Sequence, residues 1–232
     1  MKRLAAAPCL LFGALAAGVP AAGAPAASSP AAAAERQAER LAERAHQDRE
    51  IVYFLRQPET HAFDLYHDYT ESKAGAERYL NVVRKGSTAS NPAARNLDTG
   101  ELLAVETLKG DAITRAGLGS RELGEPVGPD SEVVVAHFPP VEQGHSIRLR
   151  ISETYSDARS YCLDGDELVF DRSFGRPRNA VVLPAGWYLT ASSIPATVSE
   201  TADGRIRLDF VNPRPDEIAV LIKARRRPAP RP

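Results

Sequence analysis

Four arginines in two alternating segments are the side chains in this sequence best suited to bind a ligand. Arg148 and Arg150 lie two residues apart, as do Arg205 and Arg207, and each pair alternates with apolar residues. In a β-strand this spacing places the arginines on one face, opposite the apolar side chains. Guanidinium groups bind carboxylates and phosphates through paired hydrogen bonds, so these arginines form a predicted anion-binding stripe. The alternative is that they pair with Glu153, Asp209 and other cross-strand acids.

Three short motifs resemble catalytic or phosphate-binding sequences but do not meet their requirements. Asp98-Thr99-Gly100 has the letters of the aspartic protease triplet, but that chemistry needs two aspartates sharing a proton, and Asp-Thr-Gly also suits a turn. Residues 84–88, RKGST, lack the spaced glycines of a P-loop; their backbone N–H groups leave weak anion binding open, although a plain polar loop is the simpler interpretation. Ser146 lacks the second glycine of a nucleophile elbow. The sequence predicts no catalytic residues.

The histidines do not form a pattern that would bind a metal ion. His61 and His67 would share one face of a strand but lie about 20 Å apart along it, too far to hold one ion together. The HExxH helix of zinc peptidases is absent, and no stretch matches an EF-hand calcium loop. We therefore expect no metal site and no cofactor.

The N-terminus has the three parts of a signal peptide. Lys2 and Arg3 precede a short apolar segment, and small residues lead to a cleavage site near Ala26. The apolar segment is short for a membrane span, and no later segment could cross a membrane. We expect an exported protein, periplasmic or secreted, whose mature chain contains no transmembrane segment.

Beyond Ile51 the apolar pattern changes to a period of two, which is typical of half-buried strands. Two Asp-Gly dipeptides, at 164–165 and 203–204, favour tight hairpins. The Gly, Ser, Asn and Pro residues of 86–94 predict a loop. Many short strands, without helices alternating between them, predict an all-β fold: an antiparallel β-sandwich of the Ig-like or E-set-like type.

These patterns divide the sequence into four parts. A signal peptide is followed by an Ala/Glu/Arg-rich leader whose helix is expected over residues 34–50, because Ala, Glu and Arg favour helix. The sandwich comes next, as one unit or as two subdomains divided near residue 130, and a basic, Pro-rich tail ends the chain. The predicted ranges are 1–26, 27–50, 51–226 (subdomains about 51–130 and 131–226) and 227–232.

The charge balance argues against a nucleic-acid-binding protein, and the cysteine content argues against a disulfide-stabilised fold. The chain has 29 basic and 30 acidic side chains, so it lacks the basic field of a nucleic-acid-binding protein. Removal of the signal peptide would leave Cys162 as the single cysteine, so we expect no disulfide within the chain.

One segment resembles a known family. Residues 133–155, VVVAHFPPVEQGHSIRLRISETY, contain a β-branched strand, a Pro-Val-x-x-Gly turn and an alternating strand that ends at Tyr155. This segment resembles the N-terminal β-sandwich of M1-type aminopeptidases and, in the same general way, ribophorin-like luminal sandwiches. The resemblance implies a sandwich fold. It implies no peptidase activity, because the metal and substrate motifs of that family are absent.

Together these features predict an exported, noncatalytic β-sandwich protein that acts as a binding or scaffold module of the bacterial envelope. Its partner would be an envelope protein or an anionic envelope polymer. The alternative is an accessory domain or degenerate relative of an exported hydrolase or peptidase. Carboxylates or histidines with shifted pKa values, clustered in a deep pocket, would favour that alternative.

Overall fold

The computed structural model describes residues 29–228, and the predicted signal peptide and the end of the predicted tail lie outside this range. Strands account for 48% and helices for 15% of the described chain, so β-structure predominates, as predicted. The helices are α1 (Pro30–Gln47), α2 (Asp111–Arg115), α3 (Ser120–Leu123) and a 3-10 helix (Pro58–Thr60). The strands are β1 (Glu50–Leu55), β2 (Ala62–Glu71), β3 (Arg78–Val82), β4 (Thr88–Asn96), β5 (Leu102–Leu103), β6 (Val105–Lys109), β7 (Glu132–His137), β8 (Ile147–Ser156), β9 (Tyr161–Asp164), β10 (Glu167–Phe174), β11 (Arg178–Val182), β12 (Trp187–Ser192), β13 (Thr197–Glu200), β14 (Ile206–Val211) and β15 (Ile218–Arg226).

Helix α1 begins four residues before the predicted start. The Ser29 hydroxyl accepts a hydrogen bond from the Ala32 N–H at 3.2 Å, and Pro30 occupies the first turn, where its missing N–H costs nothing. The helix ends at Gln47 because the chain enters β1 at Glu50. Within α1 only Ala45 is buried, so the helix contributes little to the core. None of the helices described for residues 29–228 is long and apolar enough to cross a membrane.

The strands form three sheets in a sandwich-like arrangement. An eight-stranded sheet has the order β13-β14-β11-β1-β2-β8-β4-β5, a four-stranded sheet has the order β12-β15-β10-β9, and a three-stranded sheet has the order β3-β7-β6. Strands from 51–130 and from 131–226 pair within the eight-stranded sheet, so it crosses the boundary between the two predicted subdomains.

One strand pair departs from the predicted antiparallel arrangement. Strand β1 is parallel to β11, while its other neighbour, β2, is antiparallel. Both strands of the parallel pair are short apolar runs, and Val52, Ala180 and Val182 on the outer face of the sheet are as inaccessible as the inner residues. A strand buried on both faces is the usual setting for parallel pairing.

The prediction of a loop over residues 86–94 is wrong for most of that segment. Strand β4 begins at Thr88 and pairs with β8, with an irregularity between Ser90 and Ala93. Asn91 has a positive φ of 53° within that irregularity. A bulge of this kind absorbs turn-forming residues and a proline without ending the strand.

Both Asp-Gly dipeptides lie in hairpins, as predicted. Strands β9 and β10 pair through Asp164 and Glu167, so Gly165, with φ 63°, begins a two-residue turn one position later than expected. The second hairpin, between β13 and β14, has a longer loop between Glu200 and Ile206.

The main core lies between the inner face of the eight-stranded sheet and the four-stranded sheet. It is rich in aromatic rings, and the Tyr53 and Phe174 rings stack with centroids 5.4 Å apart. The three-stranded sheet packs beside the four-stranded sheet on the same inner face, around Leu149 and Ile151. The large sheet therefore carries two smaller sheets side by side, with a seam between them. The largest fully buried side chains are Phe63, Ile113, Leu118, Leu149, Ile151, Tyr161, Leu168, Phe170, Phe174, Leu183, Trp187 and Phe210.

Candidate functional site

A polar cleft opens at the seam where the three sheets meet. We call it the seam cleft; it has a volume of about 390 Å³, and the residues that matter most for its chemistry are Asn81, Arg84, Tyr155, Arg172 and Arg176. Below it lies a smaller space of about 100 Å³, which we call the chamber. The main polar residues of the chamber are His67, Tyr79, Asn81, Glu153 and Tyr155.

Each sheet contributes side chains to this site. His67 on β2 and Glu153 on β8 occupy inward positions of the eight-stranded sheet, where the strand pattern calls for apolar residues. Asn81 comes from β3 in the three-stranded sheet and Arg172 from β10 in the four-stranded sheet. The site therefore exists only when all three sheets are assembled.

His67 is a buried, neutral histidine. Its Nδ1 lies 2.8 Å from the Tyr79 hydroxyl oxygen, and only 3% of the residue is exposed. Burial, together with the positive charges of Arg176 and Arg49, lowers the pKa of His67 to about 3. Its Nε2 has no hydrogen-bond partner among residues 29–228.

Glu153 is equally buried, but only one of its two carboxylate oxygens has a hydrogen-bond partner among the described residues. Its Oε2 accepts a hydrogen bond from Asn81 Nδ2 at 2.7 Å, while its Oε1 has no partner among the described residues. The Asn81 amide also donates to the Tyr155 hydroxyl at 2.9 Å. Burial raises the pKa of Glu153, and the Asn81 hydrogen bond and the nearby Tyr155 hydroxyl offset only part of that rise.

Arg172 links the cleft to the aromatic core. Its guanidinium lies 5.1 Å from the centre of the Phe63 ring and 5.6 Å from that of Tyr155. Its Nη1 is 3.5 Å from the Asp157 carboxylate and 3.4 Å from the Ser160 hydroxyl. Arg172 and Asp157 are 8% and 6% exposed, so this ion pair is shielded from water.

The mouth of the cleft carries cations without acidic partners. Neither Arg84 nor Arg176 has a carboxylate within 4.0 Å among residues 29–228. A shallow extension shares Arg84 and Arg172 and adds Lys85 and Arg159, which likewise form no ion pair in the described part of the chain. Acids are also present at the rim: Asp216, which pairs with Arg214, and the exposed Glu217.

The four predicted arginines lie elsewhere, on the outer face of the eight-stranded sheet. Strands β8 and β14 are separated by three strands, so the two pairs lie roughly 19 Å apart. Each arginine has an acidic partner within 2.8 Å: Arg148 with Asp98, Arg150 with Asp68, Arg205 with Asp203, and Arg207 with Asp209. Their binding of an anion stays a prediction.

Of the two acids named for pairing with these arginines, Asp209 does pair with Arg207, but Glu153 pairs with none of the four. It points to the inner face, opposite Leu65 of β2, while Arg148 and Arg150 lie on the outer face. The error arises because adjacent residues of a strand point to opposite faces, and Glu153 is an odd number of residues from both arginines.

The remaining candidates have structural roles. Asp98 lies in a turn, as Asp-Thr-Gly suggested, and accepts hydrogen bonds from the Arg148 backbone N–H and guanidinium at 2.8 and 2.7 Å. His61 precedes β2 in a left-handed conformation, so it does not share a strand face with His67. No group of three or more metal-binding side chains occurs within residues 29–228.

Three inward-facing polar residues in the sequence indicate the seam site, although they form no known motif. His67, Glu153 and Arg172 each occupy a position in an alternating strand that is otherwise apolar, as in Leu168-x-Phe170-x-Arg172-x-Phe174. A charged or polar residue at an inward position must be satisfied by a partner or a ligand. Arg84 and Arg176 lie in loops and carried no such signal.

Comparison with known proteins gives a fold-level similarity and no family. No protein-family model matches the chain, and no curated protein matches it. Among solved structures, it is similar to an M1 zinc metallopeptidase from Deinococcus radiodurans, with 13% identity and a TM-score of 0.44 over 76% of this chain and 41% of that one. An aminopeptidase N family protein from Idiomarina loihiensis gives 12% identity and a TM-score of 0.42 over 75% of this chain and 29% of that one.

A putative protease from Parabacteroides distasonis is similar to the same degree, with 11% identity and a TM-score of 0.39 over 76% of this chain and 39% of that one. This chain thus spans about two fifths or less of the length of these proteins. The similarity fits the weak, fold-level resemblance to M1-type aminopeptidases noted from residues 133–155.

Proposed function

We propose that this protein is a noncatalytic binding module of the bacterial envelope, with an Ig-like or E-set-like sandwich that holds an anionic group in the seam cleft. The observation that carries the proposal is the presence of Arg84, Arg172 and Arg176 around one cleft, two of them without an acidic partner among residues 29–228. Guanidinium groups donate paired hydrogen bonds to carboxylates and phosphates, which makes such an arrangement suited to either.

The position of these arginines supports binding more strongly than their number. On the outer sheet face every arginine of the predicted stripe is neutralised by an acid, and such exposed pairs leave little charge for a ligand. In the seam cleft Arg172 lies among aromatic rings and pairs with Asp157, while Arg84 and Arg176 have no carboxylate partner among residues 29–228. A concave site with convergent donors is the usual form of a small-ligand site.

The first test compares the two sets of arginines. An Arg84→Gln/Arg176→Gln double variant should bind an anionic wall polymer at least about tenfold more weakly than the native protein, with inorganic phosphate as competitor, because it loses two charged donors. Binding is measured by calorimetry at low and moderate salt, since screening should weaken a charge-driven site.

The matched control replaces the four outer-face arginines, Arg148, Arg150, Arg205 and Arg207, with glutamine. This variant removes more positive charge than the double variant and should still bind. If the fourfold variant loses binding and the double variant retains it, the ligand lies on the outer stripe and the seam cleft is not the site.

The export expected from the N-terminus is tested separately. Protein recovered from the envelope fraction should begin near Ala27, because the small residues before it suit signal peptidase cleavage. N-terminal sequencing gives the answer directly, and an intact Met1 on a membrane-bound chain would contradict removal of the signal peptide.

A degenerate or accessory relative of a hydrolase is the second candidate. One observation favours it: the chamber holds a carboxyl group with a raised pKa and a histidine with a lowered pKa, Glu153 and His67. Ester or peptide hydrolysis by the purified protein that disappears in a Glu153→Gln variant would support this candidate over simple binding.

A further inference from the structure

The chamber beneath the arginines contains two buried polar atoms without partners. His67 Nε2 and Glu153 Oε1 make no hydrogen bond with any of residues 29–228, although both residues are only 3% exposed. Leaving a buried donor or acceptor unpaired is costly, and proteins keep few of them. Both residues line the same chamber, so one occupant could satisfy them together.

The hydrogen-bond network determines which nitrogen of His67 carries the proton. Burial raises the pKa of Tyr79, so its hydroxyl keeps its proton, and the acceptor for that proton is His67 Nδ1 at 2.8 Å. Among residues 29–228 His67 Nδ1 is the partner of the Tyr79 hydroxyl, and Arg176, whose charge also acts on this tyrosine, cannot accept a hydrogen bond. A neutral imidazole that accepts at Nδ1 carries its hydrogen on Nε2. His67 therefore presents a donor to the chamber.

Glu153 presents the complementary acceptor. Its Oε2 is occupied by the Asn81 amide, and the free Oε1 has lone pairs available. His67 and Glu153 are diagonal neighbours on adjacent strands, since His67 lies opposite Ile151 and Glu153 opposite Leu65. Side chains at this spacing can reach a common small group.

One donor and one acceptor select the chemistry of the occupant. A carboxylate or phosphate oxygen accepts but cannot donate to Glu153, and an ammonium group donates but cannot accept from His67. A hydroxyl group does both with a single oxygen atom. The space of about 100 Å³ suits a small hydroxyl-bearing end of a molecule rather than a whole ligand.

We infer that the chamber binds a hydroxyl group of the same ligand whose anionic group lies in the seam cleft, so that the ligand is a hydroxylated anion such as a polyol phosphate or a sugar acid. The two spaces share Asn81, Tyr155, Arg172 and Arg176 along their walls, which places them in contact. This inference rests on the proposed function, because it assumes an anion held by the arginines.

The test uses two probes with the same charge. Glycerol 1-phosphate carries hydroxyl groups on a three-carbon chain, and n-propyl phosphate is the same chain without them. The native protein should bind glycerol 1-phosphate about tenfold more tightly, because its hydroxyl satisfies two buried groups that propyl phosphate leaves unpaired. Calorimetry on the native protein measures this preference without any variant.

A Glu153→Gln variant tests the acceptor. Asn81 Nδ2 needs an oxygen, so the glutamine amide should turn its oxygen to Asn81 and its NH2 group to the chamber. The acceptor becomes a donor, and the preference for glycerol 1-phosphate should fall to about threefold or less. Glu106→Gln, an exposed acid paired with His137, is the matched control and should keep the preference.

The outcomes separate the inference from the proposed function. Equal binding of both probes by the native protein overturns the hydroxyl inference and leaves anion binding in place, with water as the occupant of the chamber. A preference that survives in Glu153→Gln also overturns it. If neither probe binds, the proposed function fails, and the inference fails with it.

Discussion

Replacement of Arg172 with methionine is expected to lower the free energy of unfolding by about 3 kcal/mol or more. The arginine and Asp157 are both shielded from water, so the substitution leaves a buried carboxylate whose nearest positive charge has been removed. It also removes a cation that lies over the rings of Tyr53, Phe63 and Tyr155. Urea unfolding followed by tryptophan fluorescence, with Trp187 as the reporter in the core, measures the change.

The control for this prediction is Arg150→Met. Arg150 also pairs with an aspartate, Asp68, and lies over the Tyr66 ring at 3.9 Å, but it is 38% exposed. Because exposed pairs contribute little, this variant should lose about 1 kcal/mol or less. If both variants are equally stable, burial of Arg172 does not contribute to stability as argued above.

Acid is expected to destabilise this fold through His67 before most carboxylates titrate. The pKa of His67 is about 3 in the folded protein and about 6.5 in the unfolded chain, so below pH 6.5 the unfolded state binds a proton that the folded state rejects. The contribution of neutral His67 to the free energy of unfolding is fully present above pH 6.5 and is lost progressively as the pH falls towards 3. Between about pH 7 and about pH 4.5 the loss should be about 2.5 kcal/mol, measurable by urea unfolding at each pH.

A His67→Asn variant separates this effect from other titrating groups. The asparagine oxygen can accept the Tyr79 hydrogen bond in place of Nδ1, and it does not titrate. The variant should lose about 2.5 kcal/mol less than the native protein over the same pH range. Glu153 acts in the opposite direction, since its raised pKa favours the folded state as the pH falls, and it is unchanged in the variant. Identical pH profiles for the two proteins would contradict the assignment to His67.

Local patterns predicted the strands well but not the way in which they assemble. The alternation around Leu149 placed β8 correctly, because one face of that strand is buried and the other is exposed. The apolar run of β1 shows no alternation, since both of its faces are buried, and period-two reasoning could not reveal its parallel partner β11. Pairing between strands so far apart in sequence leaves no local trace.

For the candidate site too, the sequence predicts the local features but not the contacts that depend on assembly. The arginines of the predicted stripe were correctly placed opposite the apolar residues, but the acid that neutralises Arg148 is Asp98, in a turn 50 residues earlier. Sequence spacing cannot locate such a partner. The polar residues of the seam cleft could have been identified as inward-facing exceptions, whereas their convergence depends on how two small sheets meet on a larger one.

The parallel pair also constrains the order in which the chain can fold. Glu50 of β1 lies opposite Arg178 of β11, 128 residues later in the chain. One edge of this central, apolar strand therefore stays unpaired until β11 is available. Contacts of such long range slow folding, because the entropy of closing the loop is lost before the contact stabilises the chain. During synthesis the eight-stranded sheet cannot be completed until most of the chain has left the ribosome. For a chain exported as we propose, that delay would favour delivery to the translocation machinery while the protein is still unfolded.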